Sequence, residues 1–110
     1  MKQEHDPHKA VDYLIKNAGR FAKAKAQRVY LEEFRKSKKA ILMAESTADA
    51  ANAREQYAYS HADYLALLEG LREAVEVEEK LRWDLVAAQS RVEIWRTEQA
   101  NARAQDRATT

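Results

Sequence analysis

Between Arg20 and Leu42 the chain reads RFAKAKAQRVYLEEFRKSKKAIL, eight Lys or Arg against two Glu, with Phe21, Tyr30 and Phe34 set among them. Such a stretch has the composition of a phosphate-binding surface and equally that of the solvated wall of a long helix. The steps between the cations, mostly one, two, three and seven, spread them around more than one side of a helix. A helix that reads base edges concentrates its donors on one face beside Asn or Gln, and only Gln27 is available here. The chemistry left to the stretch is non-specific phosphate contact, and Arg35, Lys36, Lys38 and Lys39 near its end are the candidates.

Little else in the sequence could carry a reaction. Cysteine is absent, which removes a thiolate nucleophile, a thiolate zinc site and a disulfide framework, and permits a cytosolic setting. His5 and His8 could share a metal only if the N-terminal segment were helical, and a solvated terminal pair is the plainer reading, so no metal site is assigned. His61 stands where a cap or turn role outweighs a catalytic one. The carboxylates Glu32, Glu33, Glu76, Glu78 and Glu79 fall on long helical segments without the cleft that general acid–base work needs. No Gly-rich phosphate loop exists. The chain reads as non-enzymatic, without catalytic residues or cofactor.

The elements that must position these residues follow from composition. The 110 residues include 34% charged residues, two Gly, one Pro and only two Phe and two Trp. That balance suits long helices, because sheets and turns need residues that are scarce here. No apolar run approaches the roughly 20 residues that span a bilayer, and MKQEHDPHKA lacks the apolar centre of a signal peptide. Residues 1–45 hold 11 Lys or Arg against 6 Asp or Glu, whereas residues 46–110 hold 8 against 12. Opposite charge on two arms favours their lying side by side, at a modest, salt-sensitive gain.

Asp6 before Pro7 is an N-cap followed by proline at the first helical position. The first helix is expected from there to Glu45, with Gly19 its one weak point at about 1 kcal/mol relative to Ala. Its apolar stripe is read as Val11, Leu14, Ala18, Ala22, Ala26, Val29, Tyr30, Phe34, Ile41 and Ala44. Ser46 and Asp49 have capping-box spacing, so a turn there sends the chain back. The return arm carries a 4-3 repeat from Ala50 through Ala53, Tyr57, Ser60, Tyr64, Leu67, Leu71, Ala74, Glu78, Leu81, Leu85, Ala88 and Val92 to Trp95, with twelve of fourteen positions apolar or aromatic. Unbroken phase argues for one helix. Ser60 and Asp63 repeat the capping spacing and argue for a split near residues 59–62. The fold class is therefore all-α: one domain over residues 1–110, an antiparallel, coiled-coil-like hairpin of long helices, frayed at 1–6 and 106–110. Glu78 falls in the apolar seam and needs a cation, for which Arg20, Lys23, Lys25 and Arg28 are candidates. Read as a contact that fixes register, it makes Glu78→Leu a change that raises stability while loosening the pairing.

In length and layout a helical hairpin resembles the small secreted WXG proteins, but Trp83 is followed by Asp84 and Leu85, so the Trp-x-Gly turn is missing and that class is rejected. The segment from Ala53 to Ala104, through its Arg54-Glu55 start, its Tyr64-Leu65-x-Leu67-Leu68 run and its Glu93-Ile94-Trp95-Arg96 ending, resembles small helical proteins of the early, recombination-associated regions of tailed bacteriophages. That resemblance covers about half the chain and implies a context, DNA metabolism or interference with a host protein in an infected bacterial cytoplasm, and no site residue. Trp83, Val86, Ser90 and Ile94 lie away from the seam, with Ala87 among them, and are read as an interface. A two-fold homodimer with a four-helix core is favoured over Trp83 lying under the Lys80 or Arg82 stems. Three functions follow as expectations: an accessory of DNA metabolism with protein or non-specific nucleic-acid contacts, an inhibitor that occupies a host factor without nucleic acid, and a virion component.

Overall fold

The computed structural model describes residues 6–109 and contains three helices, α1 (Pro7–Glu45), α2 (Ala51–Ser60) and α3 (Ala62–Thr109). No strand occurs among the described residues. His5, one of the histidines weighed for a metal, lies outside them. Contacts gather the chain into two compact units, one of Met1–Phe21 with Lys80–Thr110 and the other of Ala22–Glu79. The fold class is the expected one, all-α and built on antiparallel long helices. In the Ala22–Glu79 unit Arg28 pairs with Glu78 and Lys38 with Asp63, so residue numbers rise along α1 as they fall along α3. In the other unit Tyr13 and Asp84 line one cleft.

Helix α1 begins as its sequence requires. The Asp6 carboxylate accepts the His8 N–H at 2.9 Å, and Pro7 occupies the position whose N–H would have no partner. The helix ends at Glu45, where the Ser46 N–H turns back to the Met43 carbonyl. The capping box expected at Ser46 and Asp49 does not form. Ser46 Oγ accepts the Ala48 N–H at 3.2 Å and shapes the turn, while α2 starts after Ala50 with no side-chain cap. Arg54 closes this turn instead, donating its Nε–H to the Ala48 carbonyl at 2.6 Å.

The return arm is split. His61 is extended (φ −66°, ψ 140°) between α2 and α3, and its Nδ1 accepts the Asp63 N–H at 3.0 Å. The imidazole thus caps α3 where the Ser60 hydroxyl was expected to; Ser60 Oγ bonds back to the Gln56 carbonyl at 2.7 Å. An extended residue resets helical phase, and the 4-3 repeat shows it. From Tyr64 to Val92 every position of the repeat is buried or half-buried. Before the split, Tyr57 and Ser60 are exposed and Ala58 is the fully buried residue. At its far end α3 runs on as helix to Thr109, through the segment expected to fray.

The stripe of α1 requires a larger correction. Of the ten residues assigned to it only Leu14 and Phe34 are half-buried; the alanines, Val11, Val29, Tyr30 and Ile41 are exposed. The inward positions are Ala10, Leu14, Asn17, Phe21, Ala24, Arg28, Leu31, Lys38 and Leu42, which keep the 4-3 spacing of a coiled-coil seam except at Arg35, the exposed position between Leu31 and Lys38. Three of these are polar, so a stripe traced through apolar residues alone passes them by. Asn17 meets its burial by donating Nδ2–H to the Tyr13 carbonyl at 2.9 Å and by accepting from Arg20.

The densest packing lies beside the turn, where Leu42 and Ala58, both fully buried, meet Tyr64 with Met43 and Leu68 around them. Replacing Leu42 by Ala is expected to lower unfolding stability by about 2–5 kcal/mol in a urea titration. Gly70 sits inside α3, where an added Cβ meets nothing within 4 Å. Gly70→Ala is accordingly expected to raise stability by about 0.5–1 kcal/mol.

Candidate functional site

Glu78 is 7% exposed in the seam, and its carboxylate is met by one of the four candidate cations. Arg28 donates Nε–H to Oε1 at 2.6 Å and Nη2–H to Oε2 at 3.1 Å, a two-pronged fork. Its Nη1–H reaches Glu32 one turn further on α1 at 3.1 Å. Lys25 contributes only at a distance, and Arg20 and Lys23 take no part in this contact. The Arg28 hydrogen bond holds the Glu78 carboxyl below its ordinary value against the opposing effect of burial. Glu78 does the reverse for Arg28, pushing the guanidinium further above its usual range. Arginine suits this place because its planar fork matches a carboxylate, which a lysine ammonium does not.

The four basic residues proposed for phosphate contact separate into distinct environments. Lys36 and Arg35 are exposed, and Lys36 pairs loosely with Glu33 at 3.4 Å. Lys38 turns into the seam towards Asp63 at 3.7 Å. Lys39 pairs with Glu55 of α2 at 3.1 Å and lies 4.7 Å above the Tyr59 ring. Tyr59 first and Glu55 second hold the Lys39 ammonium above its ordinary pKa. Among the described residues Arg35 makes no ion pair. Arg35, Lys36 and Lys39 nevertheless converge with Tyr59 and Tyr64 on one open cleft of about 410 Å³. Lys38 is not part of it.

The sequence reading places Tyr64 only in the seam and gives Tyr59 no role, although Tyr57, Tyr59 and Tyr64 form a visible aromatic cluster just past the turn. Tyr59 packs edge-on against Tyr64 at 5.3 Å between ring centres and keeps 43% of its surface exposed, whereas Tyr64 is buried. The cations of the cleft come from α1, and one of them, Lys39, covers one face of the Tyr59 ring of α2. Gln27, the one base-reading candidate, lines a different cleft with Ala24, Leu31, Gly70 and Val77.

The second predicted surface lies on α3 in the other unit. Trp83 is 58% exposed, and Val86, Ser90 and Ile94 are exposed with it. The Arg82 guanidinium covers one side of the Trp83 ring at 4.8 Å, so part of the shielding considered for this residue is present. Lys80 is occupied with Asp84 at 2.8 Å. Among the described residues no three His, Asp or Glu side chains gather as metal ligands, and no helix is long and apolar enough to cross a membrane. Comparison of the chain with family models, with curated proteins and with solved structures gives no match.

Because the folded-state value of Glu78 lies below the ordinary 4.5, the pair stabilises fully above that pH and loses its contribution as pH falls through the folded value. The melting temperature of the wild type is expected to fall progressively as the pH is lowered from about 5 through the depressed Glu78 value. Glu78→Gln should melt lower at pH 7 and show a shallower drop, and equal slopes for the two proteins would contradict this assignment.

Proposed function

We propose that the chain is a non-enzymatic helical accessory protein of DNA metabolism that works by contact, and that it touches single-stranded nucleic acid through the cleft of Arg35, Lys36, Lys39, Tyr59 and Tyr64. The observation that supports this is the convergence of three cations and an exposed tyrosine face on one open surface. Cations lining one cleft meet phosphates without reading sequence, and the part of the Tyr59 ring that Lys39 leaves uncovered offers a stacking contact to an unpaired base. Duplex DNA offers no free base face, so single strands are the favoured form. Glu33 and Glu55 beside the cleft keep its charge moderate, which makes the contact weak and, with few phosphates neutralised, only modestly salt-dependent. The context that we propose is the one that the sequence resemblance implies, an infected bacterial cytoplasm.

A second reading rests on Trp83, Val86, Ser90 and Ile94. Apolar residues exposed in a row on a rigid helix mark a protein-binding face, and self-association is the simplest use of it. An inhibitor of a host factor would use the same face and need no nucleic acid.

Binding to a labelled single strand at about 50 mM salt is expected for the wild type and not for the Arg35→Glu, Lys36→Glu double variant. Tyr59→Ala should weaken single-strand binding by about tenfold and leave duplex binding nearly unchanged. Absence of any binding at that salt would end the nucleic-acid reading. Capture from bacterial lysate then separates the alternatives. Partners lost on nuclease treatment support DNA metabolism, and one stoichiometric protein that resists nuclease supports the inhibitor.

A further inference from the structure

The outer face of α3 carries a second repeat; along it Arg82 covers one side of Trp83, Ser90 Oγ bonds back to the Val86 carbonyl, and Ala87 borders the cleft of Tyr13 and Asp84. From Trp83 to Ala108, through Ser90, Ile94, Thr97 and Asn101, positions recur at alternating steps of four and three, every one uncharged and every one exposed. Followed towards the start of the helix, the same phase meets Lys80, Glu76, Glu73 and Glu69. The change from charged to uncharged occurs at Trp83.

About two turns past that change, α3 loses its partner helix among the described residues. Tyr13 of α1 lies beside Asp84, and six residues remain from Tyr13 back to Pro7, so the antiparallel α1 accompanies α3 only to about residue 90. From Glu93 to Thr109 every residue of α3 is exposed. A helix of this length without a buried face is marginal on its own. The segment that lacks a partner is the one with an uncharged stripe.

We propose that Trp83–Ala108 is a self-association face on which two copies of α3 pack antiparallel, about a two-fold axis between Ile94 and Thr97, each copy's overhang covering the other's outer stripe. This deepens the self-association reading above by giving it an orientation and a register. Volume favours it: Trp83 and Ala87 of one copy face the partner's Ala108 and the partner's Ala104, large or small against small, whereas a parallel pair sets Trp83 against its own symmetry mate. Charge favours it too. Arg91 and Glu98 are seven residues apart and share one flank, so antiparallel pairing sets Arg91 beside the partner's Glu98 twice, while parallel pairing sets like charges together.

The 110-residue chain contains no cysteine, so single cysteines report the arrangement directly. Ser90 stands opposite the partner's Asn101 in this register. Mild oxidation of mixed Ser90→Cys and Asn101→Cys proteins is expected to yield mainly the mixed covalent dimer, identified by intact mass, with little from either variant alone. Arg91→Glu and Glu98→Arg should each weaken self-association about tenfold, and their combination should restore it. Light scattering at tens of micromolar should read twice the 12.7 kDa chain mass. Covalent dimers of each variant alone, or no mixed dimer while the mass still reads two copies, would overturn the antiparallel arrangement and leave self-association standing; a one-chain mass overturns both.

Discussion

The fork between Arg28 and Glu78 is the contact on which the pairing of the long helices depends. A layer of two helices buries one stripe on each, and the Glu78 carboxylate sits 7% exposed within that stripe. A charge so placed is tolerable only where its partner stands opposite, which ties α1 and α3 to one register within the Ala22–Glu79 unit. Sliding Glu78 one heptad towards the start of α1 would set it against Phe21. Sliding it the other way would offer Arg35, but would draw Leu42 out of its cluster with Ala58 and Tyr64. Pair and cluster lie in the same unit, so one fixes the alignment by charge and the other by shape.

This division explains why Glu78→Leu no longer reads as a stabilising change. Seen as a lone seam carboxylate, Glu78 is a cost that leucine would remove. With Arg28 committed to it by two hydrogen bonds, removal of the carboxylate leaves a guanidinium in the seam with Glu32 as its remaining anion. Specificity and stability reside in the pair rather than in either residue.

How far the fold could be read in advance varied with how purely apolar each stripe is. The seam of α3 after Tyr64 is almost continuous Leu, Ala and Val, and its 4-3 period gave the correct face. The seam of α1 includes Asn17, Arg28 and Lys38, and a trace through alanines and aromatics followed the exposed side instead. Asp6 and Pro7 announced the start of α1 because capping is local chemistry. The capping spacings at Ser46 and Ser60 misled because other local bonds won: the Ser46 hydroxyl accepts the Ala48 N–H within the turn and leaves α2 uncapped, and the His61 imidazole accepts the Asp63 N–H in place of Ser60. Tyr59 and Tyr64 joined Arg35, Lys36 and Lys39 only once the turn had folded α2 against α1, a proximity that no spacing within either segment encodes.

A thermal double-mutant cycle on Arg28→Met and Glu78→Leu tests the central claim most directly. Each single variant should melt below the wild type, because Arg28→Met leaves the Glu78 carboxylate without its partner in the seam and Glu78→Leu leaves Arg28 with Glu32 alone. The double variant, with two apolar side chains facing each other, should recover most or all of that loss. Additive losses in the double variant would mean that the two residues act independently, and would contradict the account in which this pair sets the register of the helices.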